Sequence, residues 1–192
     1  INGSETGTSF RQALYFKEIG FNLHDTMIYE KPALSFPDKN RYYQAFEYMF
    51  VLSKGKPKTF NQICDRTNKT AGSKVHGTER RLYGSTNPDR ACLCNVTSLI
   101  GARFNIWRIS DPGKAGNKHP AVFPEPLATD HILSWSNEGD TVLDPFAGSG
   151  TTGRAALNTG RKFILIEKDA GYCEIIKNRI ANHEPLLQAV NP

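Results

Sequence analysis

DPFAGSGTT, residues 144–152, follows a short apolar run at 141–143. The run predicts a β-strand, the glycines predict a tight turn, and residues 151–158 continue with helical periodicity. A second predicted strand covers residues 162–166, and Asp169 is a good N-cap for a further helix. Strand, glycine loop, helix, strand and helix form a βαβα unit, and such units build parallel sheets. The predicted fold class is therefore α/β.

The glycine loop at a helix N-terminus is typical of a ligand site. Glycine lets a ligand approach the backbone, and the N-terminal N–H groups favour a polar or anionic group. Glu167 ends the next predicted strand, where a carboxylate can accept both ribose hydroxyls of a nucleoside. The alternative is a tight turn beside a solvent-facing Glu167. The sequence lacks the glycine pattern of dinucleotide sites and the Gly-Lys-Ser/Thr of phosphate loops, which leaves a nucleoside without pyrophosphate, most commonly S-adenosyl-methionine.

The rest of the chain supplies further elements around this unit. Apolar spacing predicts a helix over about 9–19, and apolar runs at 21–29 and 45–53 predict neighbouring strands. Order returns at 104–109 after a long stretch of weak periodicity. Prolines in the first turn favour a helix over 124–135.

Composition excludes several classes of protein. The 192 residues are 39% hydrophobic, and no run approaches the roughly 18 apolar residues that a membrane span needs. The first residues lack the basic and apolar regions of a signal peptide, and the missing initial Met suggests a fragment or a processed chain. Four scattered cysteines do not make a disulfide scaffold, and Cys92 and Cys94 are one residue short of a zinc half-site. We expect reduced thiols and an intracellular chain.

Positive charge is concentrated in one stretch. Between Lys54 and Lys118 there are 13 Lys and Arg against 4 Asp and Glu, although the whole chain carries only +5. Residues 55–101 are also rich in Gly, Asn and Thr, which predicts a long irregular insertion. Such a basic segment is the footprint expected where phosphates are bound, and the alternative is a solvated lysine-rich loop.

Two strings resemble a known family. DPFAGSGTT with GRKFILIEKDAGYCEIIKNRI (160–180) is similar to the cofactor half of the DNA amino-methyltransferases, which modify adenine or cytosine on the exocyclic nitrogen. KHPAVFPEPLATDHILSW (118–135) resembles that family's preceding cofactor-binding helix. This order is that of the permuted beta group, in which a catalytic half and a recognition region precede the cofactor half. GFNLHDTMIYEKP, RYYQAFEYMFVLSKG and RFNIWRI are similar to the strands that flank the recognition region.

The resemblance implies a partial Rossmann-like class I methyltransferase sheet with an irregular basic target-recognition insertion. Residues 1–54 would end the catalytic half, 55–103 would form the insertion, and 104–192 would bind S-adenosyl-L-methionine. Glu167 would hold the ribose, Lys168 would flank the adenine, and the glycine loop would shape the methionine pocket. The implied cofactor-binding residues are His119, Ala121, Phe123, Pro124, Asp144, Phe146, Ala147, Gly148, Ser149, Gly150, Thr151, Thr152, Glu167 and Lys168. The alternatives are a turn histidine at 119 and simple core packing for the ring at 123.

The implied activity is S-adenosyl-methionine-dependent methylation of the exocyclic amino group of adenine in double-stranded DNA, in a prokaryotic or phage-encoded restriction-modification setting. The amino nitrogen would attack directly, so no metal and no cysteine nucleophile is required. The alternatives are cytosine-N4 methylation and a non-catalytic DNA-recognition subunit. The basic insertion argues against an RNA or small-molecule methyltransferase. We expect a cytoplasmic, nucleoid-associated protein.

One feature of the family is absent from these residues. Its catalytic signature is Asp/Asn/Ser-Pro-Pro-Tyr/Phe, and the near matches at 110–113 and 87–90 lack the second proline and the aromatic residue. No catalytic residue is therefore assigned, and we expect the chain alone to be inactive. A missing N-terminal catalytic segment or a companion chain would supply the signature, and a homodimer is a further expected assembly.

The resemblance also implies that the basic insertion is a DNA-recognition region. Asn68 and Asn95 would suit adenine edges, whereas arginine and lysine suit phosphates and guanine edges. For each residue the alternative is a solvated charge. The predicted DNA-binding residues are Lys74, Arg80, Arg81, Arg90 and Arg103.

Overall fold

The computed structural model describes residues 6–31, 42, 44–74, 79–80, 86–87, 96–109 and 123–182. They belong to two compact units, Ile1–Asn61 with Asn105–Pro192, and Gln62–Phe104. The elements in chain order are α1 (Thr8–Glu18), β1 (Asn22–Glu30), β2 (Phe46–Ser53), β3 (Cys64–Thr67), β4 (Glu79–Arg80), β5 (Thr86–Asn87), β6 (Ile100–Ala102), β7 (Ile106–Arg108), α2 (Glu125–Trp135), β8 (Thr141–Asp144), α3 (Thr151–Asn158), β9 (Lys162–Leu165) and α4 (Ala170–Ala181).

Strands β1 and β2 are the neighbouring strands that the sequence predicts, and they pair in the antiparallel sense with Met27 opposite Met49. Strand β7 pairs with β1 in parallel, so the sheet order is β2-β1-β7. Met27, Tyr29 and Trp107 are buried. Successive side chains of a strand point to opposite faces, and the buried positions 27 and 29 of β1 follow that alternation.

Strands β8 and β9 pair in parallel, with Thr141 opposite Lys162, and α3 connects them. Ala155 and Ala156 of α3 are fully buried at 0% exposure and share a core with Ile132 of α2. Small side chains at these positions let the two helices approach closely. The α/β class predicted from the βαβα pattern is confirmed.

Helix α4 begins where the sequence predicts a cap. The Asp169 carboxylate accepts the N–H of Tyr172 at 3.0 Å, which satisfies a donor of the first turn. Cys173, Ile176 and Ile180 are half-buried and lie on one face of the helix. None of the helices in the described stretches has the length and apolar character needed to cross a membrane.

The unit Gln62–Phe104 contains short antiparallel ladders. Arg66 in β3 lies opposite Gly101 in β6, and Glu79 in β4 lies opposite Asn87 in β5. The apolar pattern gives no sign of these strands, because they are two to four residues long and β3 is mostly exposed. The predicted irregular insertion therefore contains, among its described residues, short and polar ladders.

Candidate functional site

Strand β8 ends at Asp144, and its carboxylate closes the turn that follows. One oxygen accepts the N–H of Phe146 at 3.0 Å, and the other accepts the hydroxyl of Thr152 at 2.6 Å. The carboxylate thereby ties the end of the strand to the first turn of α3. The glycine loop, residues 145–150, is held at both ends by one side chain.

Gly150 is the N-cap of α3 and has a φ of 82°, in the left-handed region that favours glycine. Its N–H donates to the carbonyl of Ala147 at 2.8 Å. A Cβ on Gly150 would lie 3.0 Å from Cγ1 of Ile176 in α4. The turn therefore requires glycine both for its backbone conformation and for the close approach of α4.

The carboxylate of Glu167 reaches back to this loop. Its Oε2 accepts the N–H of Gly148 at 2.8 Å, and its Oε1 accepts the N–H of Asp169 at 3.0 Å. The hydrogen bond from Asp169 has the larger effect and that from Gly148 the smaller, and together they hold the pKa of Glu167 below its ordinary value. Glu167 is therefore ionised at neutral pH, and each oxygen retains acceptor capacity for a further donor. Lys168 follows it and is exposed.

The side chains of the loop differ in their access to solvent. Phe146 is 88% exposed, whereas Ala147, Ser149 and Thr151 are buried. A buried side chain cannot reach a ligand at the surface, so these three residues support the loop and can offer only backbone groups. Phe146 presents its ring to solvent.

The second stretch of predicted cofactor residues lies at the start of α2. Phe123 is 41% exposed, and Pro124 is buried and forms the N-cap of the helix. His119 and Ala121 lie outside the described residues. Two of the four cofactor residues predicted in this stretch can therefore be placed.

A cavity of about 530 Å³ opens beside α2. His131 Nε2 lies 3.1 Å from Met49 Sδ there, and burial keeps the pKa of His131 below its ordinary value. Of the predicted cofactor residues that the structure describes, Phe123 and Thr152 line the cavity, and Glu167 does not. Its lining, as far as the described residues form it, carries no carboxylate for a ribose, so we place the candidate cofactor site at the glycine loop. The cavity is lined by Met49, Phe123, Leu127, Ala128, His131, Ile132, Trp135, Ser136, Thr141, Val142 and Thr152.

Arg179 contacts the loop although no sequence pattern singles it out. Its Nη1 donates to the carbonyl of Ser149 at 2.6 Å and lies 3.1 Å from the Ser149 hydroxyl. Burial, with a contribution from nearby Arg154, lowers the pKa of Arg179. The contact depends on how α4 packs, and helical spacing alone does not distinguish Arg179 from the other cations of that helix.

The predicted DNA-binding residues fall in the unit Gln62–Phe104. Lys74 is exposed, and Arg80 belongs to β4. Arg81 and Arg90 lie outside the described residues. Positions 74 and 80 can therefore be placed on the fold, and only the side chain at 74 is described.

Arg103 is engaged within its own unit. Its Nε lies 3.0 Å from Oδ2 of Asp65, and this hydrogen bond is the largest cause of the lowered pKa of Asp65. Arg66 stacks over the Phe104 ring at 4.3 Å. The amide of Asn68 donates to the Ser98 carbonyl at 2.8 Å. Asn95, the other residue predicted for adenine edges, lies outside the described residues.

The glycine loop is backed by a carboxylate that lies just beyond the next parallel strand, and a comparison with protein families agrees with this arrangement. A family model described as a DNA methylase, with N6 and N4 in its name, matches residues 1–178. The chain belongs to this DNA methylase family. The match runs through both compact units, so the methylase family covers the basic insertion as well as the βαβα unit.

Three named bacterial methyltransferases are similar in sequence to this chain. The orphan methyltransferase M.BamHII of Bacillus amyloliquefaciens is 58% identical over 189 residues, which covers 94% of this chain and 71% of the relative. The type II methyltransferase M.Cfr9I of Citrobacter freundii is 28% identical over 93% of this chain and 51% of the relative. M.BamHI of Bacillus amyloliquefaciens is 34% identical over 77% of this chain and 33% of the relative. The chain therefore spans only part of each of these methyltransferases.

Solved structures of methyltransferases share the fold. A crystal structure of M1.HpyAVI with SAM has 27% identity and a TM-score of 0.59, and the match covers 92% of this chain and 71% of the other. The cytosine-N4-specific PvuII DNA methyltransferase has a TM-score of 0.58 at 21% identity, over 96% of this chain and 67% of the other, which shows the fold alone. The predicted Rossmann-like class I methyltransferase sheet is confirmed.

Proposed function

We propose that this chain is the cofactor-binding and target-recognition part of a DNA methyltransferase. The enzyme transfers a methyl group from S-adenosyl-L-methionine to the exocyclic amino group of adenine. The observation that carries the proposal is the Glu167 carboxylate held against the glycine loop by Gly148 at the ends of two parallel strands. The crystal structure of the M1.HpyAVI-SAM complex, whose protein is 27% identical to this chain, supports the choice of cofactor.

The chemistry of the loop residues fits this cofactor. The amino-acid carboxylate of the cofactor suits the positive end of the α3 dipole, and the open turn at Gly150 lets it approach. Each oxygen of Glu167 has accepted one N–H and retains capacity for a ribose hydroxyl. Phe146 presents an apolar ring that can cover the ligand.

The residues of the chain act by binding and orientation. When bound, the cofactor supplies an electrophilic methyl group on its sulfonium. Glu167 orients the ribose, the glycine loop fixes the amino-acid end, and Phe123 and Phe146 exclude water. Fixing the reacting groups in this way converts a bimolecular step into one within a complex. The cysteines have no role in this chemistry.

Adenine is the proposed base, and cytosine N4 is the alternative. Both bases present an exocyclic amino group, so the same positioning chemistry serves either one. The choice depends on contacts to the extruded base, which the catalytic segment supplies in this family.

The basic unit is the proposed DNA contact. Residues 62–104 contain seven Lys and Arg against three Asp and Glu. We propose that Lys74, Arg80, Arg81 and Arg90 contact phosphates or base edges. Arg103 belongs to the same proposed set, with a smaller contribution because Asp65 already neutralises it. The relatives are bacterial, so we place this activity at the nucleoid in the cytoplasm.

The catalytic tetrapeptide comes, in this proposal, from an additional segment or a companion chain. Among the described residues, β2 and β8 are both sheet edges, and both line the apolar cavity through Met49 and Val142. Trp135 also lines the cavity, and within the described part of the chain its Nε1 is buried without a partner. Strands of a catalytic segment would fill this gap and offer backbone acceptors.

The test supplies the missing segment. Residues 1–192 are incubated with duplex DNA and methyl-labelled S-adenosyl-methionine, alone and with a catalytic half that carries Asp-Pro-Pro-Tyr, and the DNA is digested to nucleosides. We expect no label with the chain alone and labelled N6-methyladenine with both parts. Label from the chain alone would overturn the need for a second segment, and N4-methylcytosine would overturn the choice of base. DNA binding without any label from both parts would favour the non-catalytic recognition subunit.

A further inference from the structure

A polar cluster connects the first turn of α2 to both ends of α3, the helix that follows the glycine loop. Glu125 opens α2, and its carboxylate accepts the amide of Asn158 at 3.0 Å. The same carboxylate pairs with Nε of Arg154 at 3.3 Å. Both partners lie on α3. The start of α2, which carries Phe123, is therefore fastened to the helix that the glycine loop leads into.

Arg179 joins this cluster from α4. Burial is the main cause that lowers the pKa of Arg179, the charge of Arg154 lowers it further, and the charge of Glu125 raises it. Its Nη1 lies 2.6 Å from the Ser149 carbonyl and 3.1 Å from the Ser149 hydroxyl. Hydrogen bonds from an ionised donor are about twice as strong as neutral ones. Arg179 therefore binds the loop through a residue that is itself only 5% exposed.

Ser149 stands between the two residues that define the loop. Gly148 donates its N–H to Glu167, and Gly150 adopts a φ of 82° to begin α3. A shift of the Ser149 peptide would move both neighbours. The contact from Arg179 fixes this peptide by its oxygen.

We infer that Arg179 is a positioning residue for the cofactor, which holds Ser149 and so keeps the glycine loop in the shape that receives the amino-acid end of S-adenosyl-methionine. Arg179 acts through Ser149 and does not touch the ligand. The inference rests on the proposed function, because it assigns that ligand to the loop.

Displacement of the glycine loop and general loss of structure can be distinguished by comparing the affinities for two ligands. Adenosine has the ribose that Glu167 binds but lacks the amino-acid part. A displaced loop loses the amino-acid contacts and also shifts Gly148, one of the two donors to Glu167, so it should weaken S-adenosyl-methionine more than adenosine. General destabilisation of the unit would weaken both ligands to the same extent.

The experiment is calorimetric titration of residues 1–192 with each of the two ligands. The variants are Arg179→Gln, Arg179→Lys and the milder Ser149→Ala, which removes the hydroxyl that Arg179 contacts and keeps the Ser149 carbonyl. Lys177→Gln is the matched control, because Lys177 lies on the same helix and pairs with Glu174 at 2.7 Å. We expect Arg179→Gln to weaken S-adenosyl-methionine about tenfold, Arg179→Lys to restore part of the affinity, and Lys177→Gln to change nothing.

The outcomes separate this inference from the proposed function. Unchanged S-adenosyl-methionine affinity in Arg179→Gln and Ser149→Ala, or equal losses for both ligands, would overturn the positioning role alone. If the unsubstituted chain binds no S-adenosyl-methionine, the proposed cofactor is wrong and the inference is overturned with it. Should Arg179→Gln fail to fold, the Arg179→Lys and Ser149→Ala variants give the same comparison.

Discussion

Glu167 is organised before any ligand arrives. Its two oxygens accept N–H groups from Gly148 and Asp169, which joins the end of β9 to the glycine loop. The same hydrogen bonds lower the pKa of the carboxyl group and keep it ionised. In the proposed site a ribose would meet a fixed, charged acceptor, and little reorganisation would be needed on binding.

Substitution of this carboxylate should weaken the cofactor. Glu167→Gln keeps the shape and one acceptor oxygen but loses the charge that strengthens both ribose hydrogen bonds. We expect the Kd for S-adenosyl-methionine to rise about ten- to a hundredfold with folding retained, as measured by calorimetry and circular dichroism. Glu174→Gln, an exposed change on α4, is the control. Equal affinity in Glu167→Gln and the unsubstituted chain would contradict the ribose assignment.

The sequence allows prediction of the residues whose role depends on local backbone chemistry. Gly150 needs a left-handed φ, and Asp144 ends a strand before a turn, so both stand out from spacing alone. The inward direction of Ser149 and the contact from Arg179 depend on the packing of α4. Tertiary contacts of this kind leave no periodic trace in the sequence.

Helix α2 links the candidate site to the core of its unit. Its start carries Phe123 and Pro124, and its buried face carries Ile132. His131 lies on the same helix against Met49 and 4.5 Å from the Trp107 ring. Packing of a neutral imidazole here makes the stability of this unit sensitive to acid.

The sign of that sensitivity follows from the pKa of His131. Burial lowers it below the ordinary 6.5, although Asp130 acts in the opposite direction. On acidification the unfolded chain takes up a proton at His131 that the folded chain does not. The contribution of the neutral imidazole to the free energy of unfolding is therefore fully present above pH 6.5, and it is lost as the pH decreases below that value. We expect urea unfolding to show a larger loss between about pH 7.5 and about pH 5.5 for the unsubstituted chain than for His131→Leu. Identical losses would show that His131 is not the titrating group.

Long elements with strong patterns are the predictable ones. Strands β1 and β2 and helices α2 to α4 follow the apolar spacing, glycines, prolines and caps that the sequence shows. Strands β3 and β6 are held by polar contacts such as the pair of Arg103 with Asp65. Such strands lack apolar alternation, so the sequence pattern does not predict them.

Charge is divided unequally along the chain, and seven of the 13 Lys and Arg between Lys54 and Lys118 belong to the unit Gln62–Phe104. If five or six of the 13 basic side chains between Lys54 and Lys118 neutralise phosphates, the logarithm of the DNA association constant should fall with the logarithm of salt at a slope of about −5. Reversal of Arg80 and Arg81 to Glu should flatten this slope by about two, as measured by fluorescence anisotropy on a labelled duplex.

Cofactor affinity is the internal control for this pair, because the proposed pocket lies at residues 119–168. A guanine contact by either arginine would also relax discrimination at one base pair by about 1 to 3 kcal/mol. An unchanged slope and an unchanged DNA affinity would place the DNA path elsewhere in the insertion.

The order of the recognition region and the cofactor half can be predicted from the sequence, because residues 118–135 and 160–180 resemble the motifs of the family. The family match over residues 1–178 agrees with that order. Base choice is not readable, since it depends on a catalytic tetrapeptide that these residues do not contain. The apolar cavity beside α2 is a second feature that follows from packing between elements and has no motif of its own.

Where S-adenosyl-methionine binds is tested most directly by photochemical labelling. Residues 1–192 are irradiated with methyl-labelled cofactor, digested, and the labelled peptides are identified by mass spectrometry, with Glu167→Gln as the control. The glycine-loop site predicts label within residues 144–152 or at 167–168, reduced in the variant. Label confined to residues that line only the cavity, such as Met49, Leu127 or His131, or label that is unaffected by Glu167→Gln, would contradict it.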